Sequence, residues 1–497
     1  MSSIKQLASQ TAVYGLSSIV GRLLNYFLVP LHTYVFSEHQ YGIVTEMYAY
    51  VAFLVIFLTY GMETAYFRYV NLPGNEPAKV YSTTLISVLT TSAIFISVCF
   101  AFSVPIANWL EYPRNAEYVT WFAIIVGLDA VTSIPLAKLR QENKAMKFAV
   151  ANYANIIINI LLNLFFLGYC RSAYENGNHN WIVQHLYNPE IGVGYVFISN
   201  LAASIFKFVI LIPEMGGIFK GLSSSLLKQM LWFGFPLLIG GMAGIINEMF
   251  DRAIYKRMLI GDLGEETTMA QLGVYGAVYK ISIIITLFIQ AFRYAADPFF
   301  FSQVKNVDAK EKYAKVMNYF VMVCAVIFLG VMMYLDIIRY FIDRDYWVGL
   351  HVVPVLLFAN IFLGIYYNQS IWYKLTNKTK YGAWIAIAGA ILTIILNVIW
   401  IPVYGYTGCA WATLICYVFM MLVSFILGHK HYPVPYNFVK LFLYLGFAFG
   451  FYYVSTFFQS ESMAQNLGIN SLIFLTYVAM LWFIEKPKFS KNENQNN

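Results

Sequence analysis

Charge is what this sequence has least of. Asp, Glu, Lys and Arg make up 11% of its 497 residues, against about a quarter in a soluble domain, which argues against an ordinary soluble enzyme or binding module. Cysteine is scarce as well: Cys99, Cys170, Cys324, Cys409 and Cys416 stand singly, in or beside apolar stretches. Without a CxxC pair or a Cys/His cluster there is no basis for a zinc site, thioredoxin-type chemistry or a disulfide framework. The cysteines read as small apolar fillers, and no metal or cofactor is expected. Long polar segments are also missing. The longest connection lies near Cys170–Glu190, which leaves no room for a soluble catalytic domain. Met1–Gln10 carries only Lys5 before a helix interrupted by Gly15, Gly21, Arg22 and Asn25. That start lacks the basic region and clean apolar core of a cleaved signal, so the first span is expected to stay in the mature fold.

What the chain has in quantity is apolar surface, with 60% hydrophobic and 18% aromatic residues. A spanning helix needs about 20 mostly apolar residues. By that measure fourteen spans fit, at roughly 10–34, 42–67, 80–104, 117–137, 147–169, 191–213, 230–254, 273–298, 315–335, 347–368, 382–401, 407–428, 437–457 and 468–484. The fold class is therefore an all-α polytopic membrane protein. Lys and Arg set its orientation. With the N-terminus in the cytoplasm, 21 of the 32 fall in inner segments such as Lys138–Lys147 and Lys374–Lys380. Six fall in outer loops: Arg114, Arg171, Lys256, Arg257, Arg339 and Arg344. The net charge of +7 is thus a topological signal rather than a sign of a nucleic-acid partner. An even number of spans puts the C-terminus inside too.

The chain also repeats. YGIVTEMYAYVAFLVIFLTYGMETAYF (Tyr41–Phe67) superimposes on YGAVYKISIIITLFIQAFRYAADPFFF (Tyr275–Phe301) at an offset of 234. This puts Tyr41-Gly42 on Tyr275-Gly276, Tyr60 on Tyr294, Glu63 on Asp297, and Glu46 opposite Lys280. The domains expected from this are a six-helix lobe over 1–213, a cytoplasmic linker at 214–228 and a second six-helix lobe over 229–430. Two further helices follow at 431–485, then a polar cytoplasmic tail at 486–497. Parallel repeats imply a pseudo-twofold axis along the membrane normal with a central cavity between the halves.

The glycine pattern, the loop KLTNKTK (Lys374–Lys380), the stretch ILNVIWIPVYGYTGCAWATL and the segment IPLAKLRQENK (Ile134–Lys144) carry a family resemblance. The chain resembles the polysaccharide-export, O-antigen flippase type of the multidrug/oligosaccharidyl-lipid/polysaccharide (MOP) transporter superfamily, over roughly its first twelve spans. The resemblance implies a non-enzymatic translocator of polyprenyl-diphosphate-linked oligosaccharides, the precursors of lipopolysaccharide O-antigen, capsule or exopolysaccharide. It implies alternating access in a bacterial inner membrane, with membrane lipids around it, and leaves room for contact with polysaccharide polymerase machinery. In that family spans 1, 2, 7 and 8 wall the cavity.

The charged residues agree with that wall. An ionisable group within a span costs about 2.5–3.5 kcal/mol on insertion scales, so it faces a cavity or a partner. Helical spacing aligns Gly15, Ser18, Arg22 and Asn25 in span 1; Glu46, Tyr50, Tyr60 and Glu63 in span 2; Gly240, Gly244, Asn247/Glu248 and Asp251 in span 7; and Lys280, Gln290, Tyr294 and Asp297 in span 8. A diphosphate head group calls for a delocalised, permanently charged donor fork. Arg22, with Asn25, and then Arg293 and Arg252 are the candidates. The competing readings are a structural pair for Arg22 and snorkelling to the head groups for Arg293. Glu46 and Lys280 are expected either to pair as an outer gate or to be satisfied each in its own half. Glu63, Asp297 and Asp129, with Glu248 and Asp251, are candidates for coupling to a proton or sodium gradient, or else structural partners of Arg68, Arg293 or a helix end.

A cation-coupled drug or metabolite antiporter of the sister branch is the nearest alternative. It predicts an apolar, acidic cavity, whereas Arg22, Arg252, Lys280 and Arg293 make these spans basic. A membrane glycosyltransferase or polymerase needs sizeable outer loops, and the first one here, at 36–41, is tiny. Asp343-Arg-Asp345 superficially resembles a metal-binding DxD, but reads as a solvated loop.

Overall fold

The structure, a computed structural model, describes residues 19–178, 180–304 and 306–493. Lys5, Gly15 and Ser18, Lys305 and residues 494–497 lie outside the described residues. Within hydrocarbon every backbone N–H and C=O must be satisfied inside its own segment, which leaves helix as the only solution for isolated apolar runs. Among the described residues there is accordingly no strand, and eleven helical runs are long and apolar enough to cross a membrane. Two of these runs, Ser224–Gln303 and Lys380–His431, are broken by non-helical glycines, Gly264 (φ 75°) and Gly405 (φ 55°). Each holds two of the expected spans, seven with eight and eleven with twelve. The first expected span is helical at 19–26 and at Leu28–Val35. The all-α polytopic architecture is thus the one the hydropathy pattern predicts. All five cysteines are free and buried.

The chain packs as two compact units, Met1–Gly276 and Ala277–Asn497. In the first unit, Ser37 and Gln40 form a capping box at the start of span two, with both side chain–backbone bonds at 3.3 Å. The span runs Glu38–Thr59, turns through Tyr60 (φ 30°) and Gly61 (φ 74°), and resumes at Met62–Val70. A tyrosine at positive φ is an unfavourable backbone state. Here its hydroxyl is anchored to Ser87 of span three at 2.7 Å. Leu58, Met62, Tyr66, Val80, Leu85, Ile134 and Met230 share one core, which draws spans two, three, four and seven together. At the other end of span two, helix backbones touch. A Cβ added to Gly42 would run into the carbonyl oxygen of Met269, and one added to Gly273 into that of Glu38.

Span four, Ala116–Gln141, ends at left-handed Asn143 (φ 58°), where the Lys144 N–H reaches back to the Leu139 carbonyl at 2.8 Å. This is a Schellman-type closure. In the second unit Val353–Gln369 and Ile371–Leu375 lead to Asn377 (φ 56°), and the Lys378 N–H bonds the Tyr373 carbonyl, also at 2.8 Å. Each of these positions is displaced by 234, the offset that aligns spans two and eight. The duplication therefore extends to the backbone turns.

The last two spans, Phe438–Thr456 and the helix Met463–Glu493, are pinned by Glu485, a buried carboxylate that accepts from Lys440 Nζ and the Tyr444 hydroxyl. Asn470 Nδ2 donates to the Met333 carbonyl at 2.9 Å, which ties this pair to span nine, Ala309–Met333. Asp343 of the DxD-like segment caps a turn by accepting from the Asp345 N–H at 3.2 Å. Among the described residues no group of three or more His, Cys, Asp or Glu is placed to hold a metal ion.

Backbone contact at Gly273 makes a sharp prediction. Gly273→Val should lower the melting temperature of the purified protein, since overpacking costs about 1–3 kcal/mol. Gly240→Val, where an added Cβ meets nothing within 4 Å, should leave it unchanged.

Candidate functional site

Three groups of polar residues in the first unit stand out against the apolar background. The first gathers where span two meets the segment 110–112. Glu46, 1% exposed, accepts from the Tyr50 hydroxyl at 2.7 Å and from the Tyr112 hydroxyl. Burial and the neighbouring Glu46 push the Tyr112 phenol well above its ordinary pKa, so it remains a donor at any physiological pH. Lys256, also 1% exposed, lies over the Tyr112 ring at 3.8 Å and donates to the carbonyls of Leu110 and Glu111 at 3.3 and 3.2 Å. Its remaining field comes from Glu111 and Glu265, at 3.9 and 3.8 Å. Next to it Arg257 stacks on Trp109 at 3.7 Å and donates to its carbonyl. Lys256 is thus not a loop lysine: helix seven runs past its apolar stretch as far as Gly264 and carries this side chain into the packing.

One turn earlier on the same helix, Asp251 and Arg252 are both 4% exposed. Asp251 accepts from the Tyr275 hydroxyl at 2.7 Å, and Arg252 lies 5.4 Å from the centre of the Tyr275 ring while donating to the Glu248 carbonyl. Arg252 is therefore packed into the protein. Glu248 itself is exposed.

The second group lies between spans one and five. Arg22 and Asn25 are exposed. Asn25 accepts from Asn159 at 3.4 Å, and His32 bonds Asn163 at 2.8 Å. Arg22 has no hydrogen-bond or ion-pair partner among the described residues. Span five presents Asn152, Asn155, Asn159 and Asn163 at steps of three and four, a single face.

The third group sits at the far end of spans two and four. Glu63 pairs with Arg140, whose guanidinium also lies 5.0 Å from the Phe67 ring. Asp129 meets Lys207 of span six at 2.6 Å and Ser204 at 3.2 Å. Glu214 gathers Lys147 at 2.6 Å and Lys138 at 3.9 Å.

The second unit holds the counterpart of the Glu63 pair. Asp297 accepts from Lys374 at 3.0 and 3.1 Å. Glu63–Arg140 and Asp297–Lys374 each span 77 residues, and each member lies 234 from its mate. One construction therefore occurs twice. Arg293 is exposed and lies over Tyr367 at 4.3 Å, and Lys280 is half-buried on the same helix. The sequence pairs Glu63 with Asp297 but does not identify Arg140 and Lys374 as their partners. The 234 offset, applied to the basic loops, is the signal that finds them.

A family model described as polysaccharide biosynthesis protein matches residues 7–304. The chain belongs to that family. The chain shares its fold with a lipid II flippase, MurJ, in an inward closed conformation. The two are 15% identical with a TM-score of 0.71, over 95% of this chain and 98% of that one. It is also similar in fold to an inward-facing multidrug resistance MATE family transporter of the MOP superfamily, at 12% identity and TM-score 0.62 over 82% and 94% of the two chains. A third likeness is to the MATE multidrug transporter DinF-BH, at 16% identity and TM-score 0.59 over 86% and 96%. No curated protein matches the chain. Family and fold together place the chain in the MOP transporter superfamily.

The repeated ion pair is testable by inversion. Arg140→Glu or Lys374→Glu alone should lower thermal stability by setting two carboxylates together. The swaps Glu63→Arg/Arg140→Glu and Asp297→Lys/Lys374→Asp should recover most of it. The coupling is expected at about 0.5–1 kcal/mol, since both pairs are partly open to solvent.

Proposed function

We propose that this protein is a flippase that carries polyprenyl-diphosphate-linked oligosaccharide units across the bacterial inner membrane by alternating access. Its cargo would be the precursors of O-antigen, capsule or exopolysaccharide. Both termini would lie in the cytoplasm, and the protein would act as a carrier, making and breaking no covalent bond. The observation that supports this is Arg22, an exposed guanidinium within a span and without a carboxylate partner among the described residues. A charge there is costly unless something polar meets it, and a diphosphate meets it with the planar, two-pronged geometry arginine favours. Glu46, Glu63, Asp129, Asp251 and Asp297 all accept hydrogen bonds or ion pairs. Glu248 has no side-chain partner among the described residues, and we assign it to binding of the coupling proton or sodium ion.

The test is transport of a fluorescent lipid-linked oligosaccharide in proteoliposomes. Arg22→Ala should slow its transfer at least ten-fold, as expected for a lost bond to a charged group, and Arg22→Lys should retain part of the rate. An absence of transfer by the unaltered protein would overturn the proposal.

A further inference from the structure

We infer that the diphosphate is held in the seam between spans one and five, with the Asn155 carboxamide as a second donor beside Arg22. The inference rests on the flippase reading above and adds to it a site, a ligand group and a residue.

Three contacts define the seam. A Cβ on Gly21 would strike the Ile156 side chain, Asn25 meets Asn159, and His32 meets Asn163. Residue numbers rise together along both helices, so the spans run parallel. Each residue advances the helix by 100°, as 3.6 residues per turn require. Arg22 follows Gly21, and Asn155 precedes Ile156. On two parallel right-handed helices that face each other, those opposite steps turn the side chains to the same flank of the seam. The Asn25–Asn159 bond lies on that flank as well.

Two groups on this flank stand without a partner among the described residues, and both can donate. Arg22 has no partner among the described residues, and the Asn155 Nδ2 is buried without a hydrogen bond. A donor left unmet away from water is unfavourable by about 1–3 kcal/mol. A guanidinium and an amide N–H on one flank call for a ligand that is anionic and rich in acceptors, which describes a phosphate oxyanion.

Amides inside spans also serve to join helices, and Asn163 does so through His32. The second half of the chain separates the two roles. At the 234 offset Asn152, Asn155, Asn159 and Asn163 correspond to Ala386, Gly389, Thr393 and Asn397, on a span that is equally helical. Asn163 and Asn397 even make the same bond, to the carbonyl four residues back, at 2.8 and 2.9 Å. The scaffold thus retains one amide, while those beside Arg22 belong to the first half alone.

Binding to the full-length protein in nanodiscs tests this, with a polyprenyl diphosphate as probe and the neutral polyprenol as control. Asn155→Ala should weaken diphosphate binding about ten-fold and leave polyprenol binding unchanged. Asn155→Asp should weaken it further, because its carboxylate would neutralise Arg22 and repel the ligand. Asn152→Ala, whose amide donates to its own helix at Phe148, should bind as the unaltered protein does. If Asn155→Ala and Asn155→Asp both bind normally while Arg22→Ala does not, the seam assignment fails and the flippase reading stands. If the unaltered protein fails to prefer the diphosphate to polyprenol, the flippase reading itself fails. Inorganic pyrophosphate should compete only at concentrations at least ten-fold above those of the lipid; equal potency would assign the seam to free phosphates instead.

Discussion

Inside a bilayer a charge is tolerated only where something answers it, and this structure can be read as a set of answers. Asp129 is answered by Lys207, Glu46 by two tyrosine hydroxyls, Asp251 by Tyr275, and Glu485 by Lys440 and Tyr444. Apart from the Tyr50–Glu46 bond, which lies within one helix, each of these contacts joins side chains far apart in sequence or on neighbouring helices, so satisfying the charge also fixes the helix packing. Lys256 shows how far this goes. A nearly inaccessible ammonium survives there because two carbonyls, an aromatic face and two nearby carboxylates surround it. Against that background Arg22 and Glu248 are informative because the same economy does not extend to them.

The duplication sharpens the contrast. At the end of spans two and eight that carries Glu63 and Asp297, both halves keep an acid on one helix and a base 77 residues on. The identities differ, Glu with Arg and Asp with Lys, but the sign and the spacing persist. At the opposite end the sign inverts, with Glu46 in one half and Lys280 at the same register in the other. Tyr112 and its counterpart Tyr346 are nevertheless both buried tyrosines. A phenol hydroxyl can donate to a carboxylate or accept from an ammonium, so one residue type can accompany either charge. This allows one end of a duplicated fold to diverge electrostatically without rebuilding its aromatic packing.

The fold was legible in the sequence because hydrophobic length is a local signal, and among the described residues each of the fourteen expected spans falls on helix. The partners of the charges were less legible. For Glu63 the sequence offers Arg68, Arg293 or a helix end, yet it pairs with Arg140. That choice depends on how span four, with Pro135 inside it, brings its basic end against span two. Lys256 reads as a loop residue because apolar content falls away after Asp251, although the helix continues to Gly264. Asn155 escapes a reading of the sequence for a different reason. An uncharged amide barely alters hydropathy, and the case for the proposed Asn155 donor comes only from the neighbouring helix and from the Gly389 that stands in its place in the repeat.

For the proposed flippase, amides at this seam suit a carrier better than additional arginines would. A site that must load on one face and empty on the other has to bind strongly enough to select its ligand and weakly enough to release it. Charge-assisted bonds are roughly twice as strong as neutral ones, so a cluster of guanidiniums would hold a diphosphate through the conformational change and beyond it. One fixed charge supplemented by neutral donors gives graded affinity. The neutral donors also do not repel one another when the site is empty, as several unpaired cations would. The seam between spans one and five has this composition, whereas elsewhere in the first unit Lys256 and Arg252 are buried in the packing, leaving Arg22 as the open cation beside the asparagines.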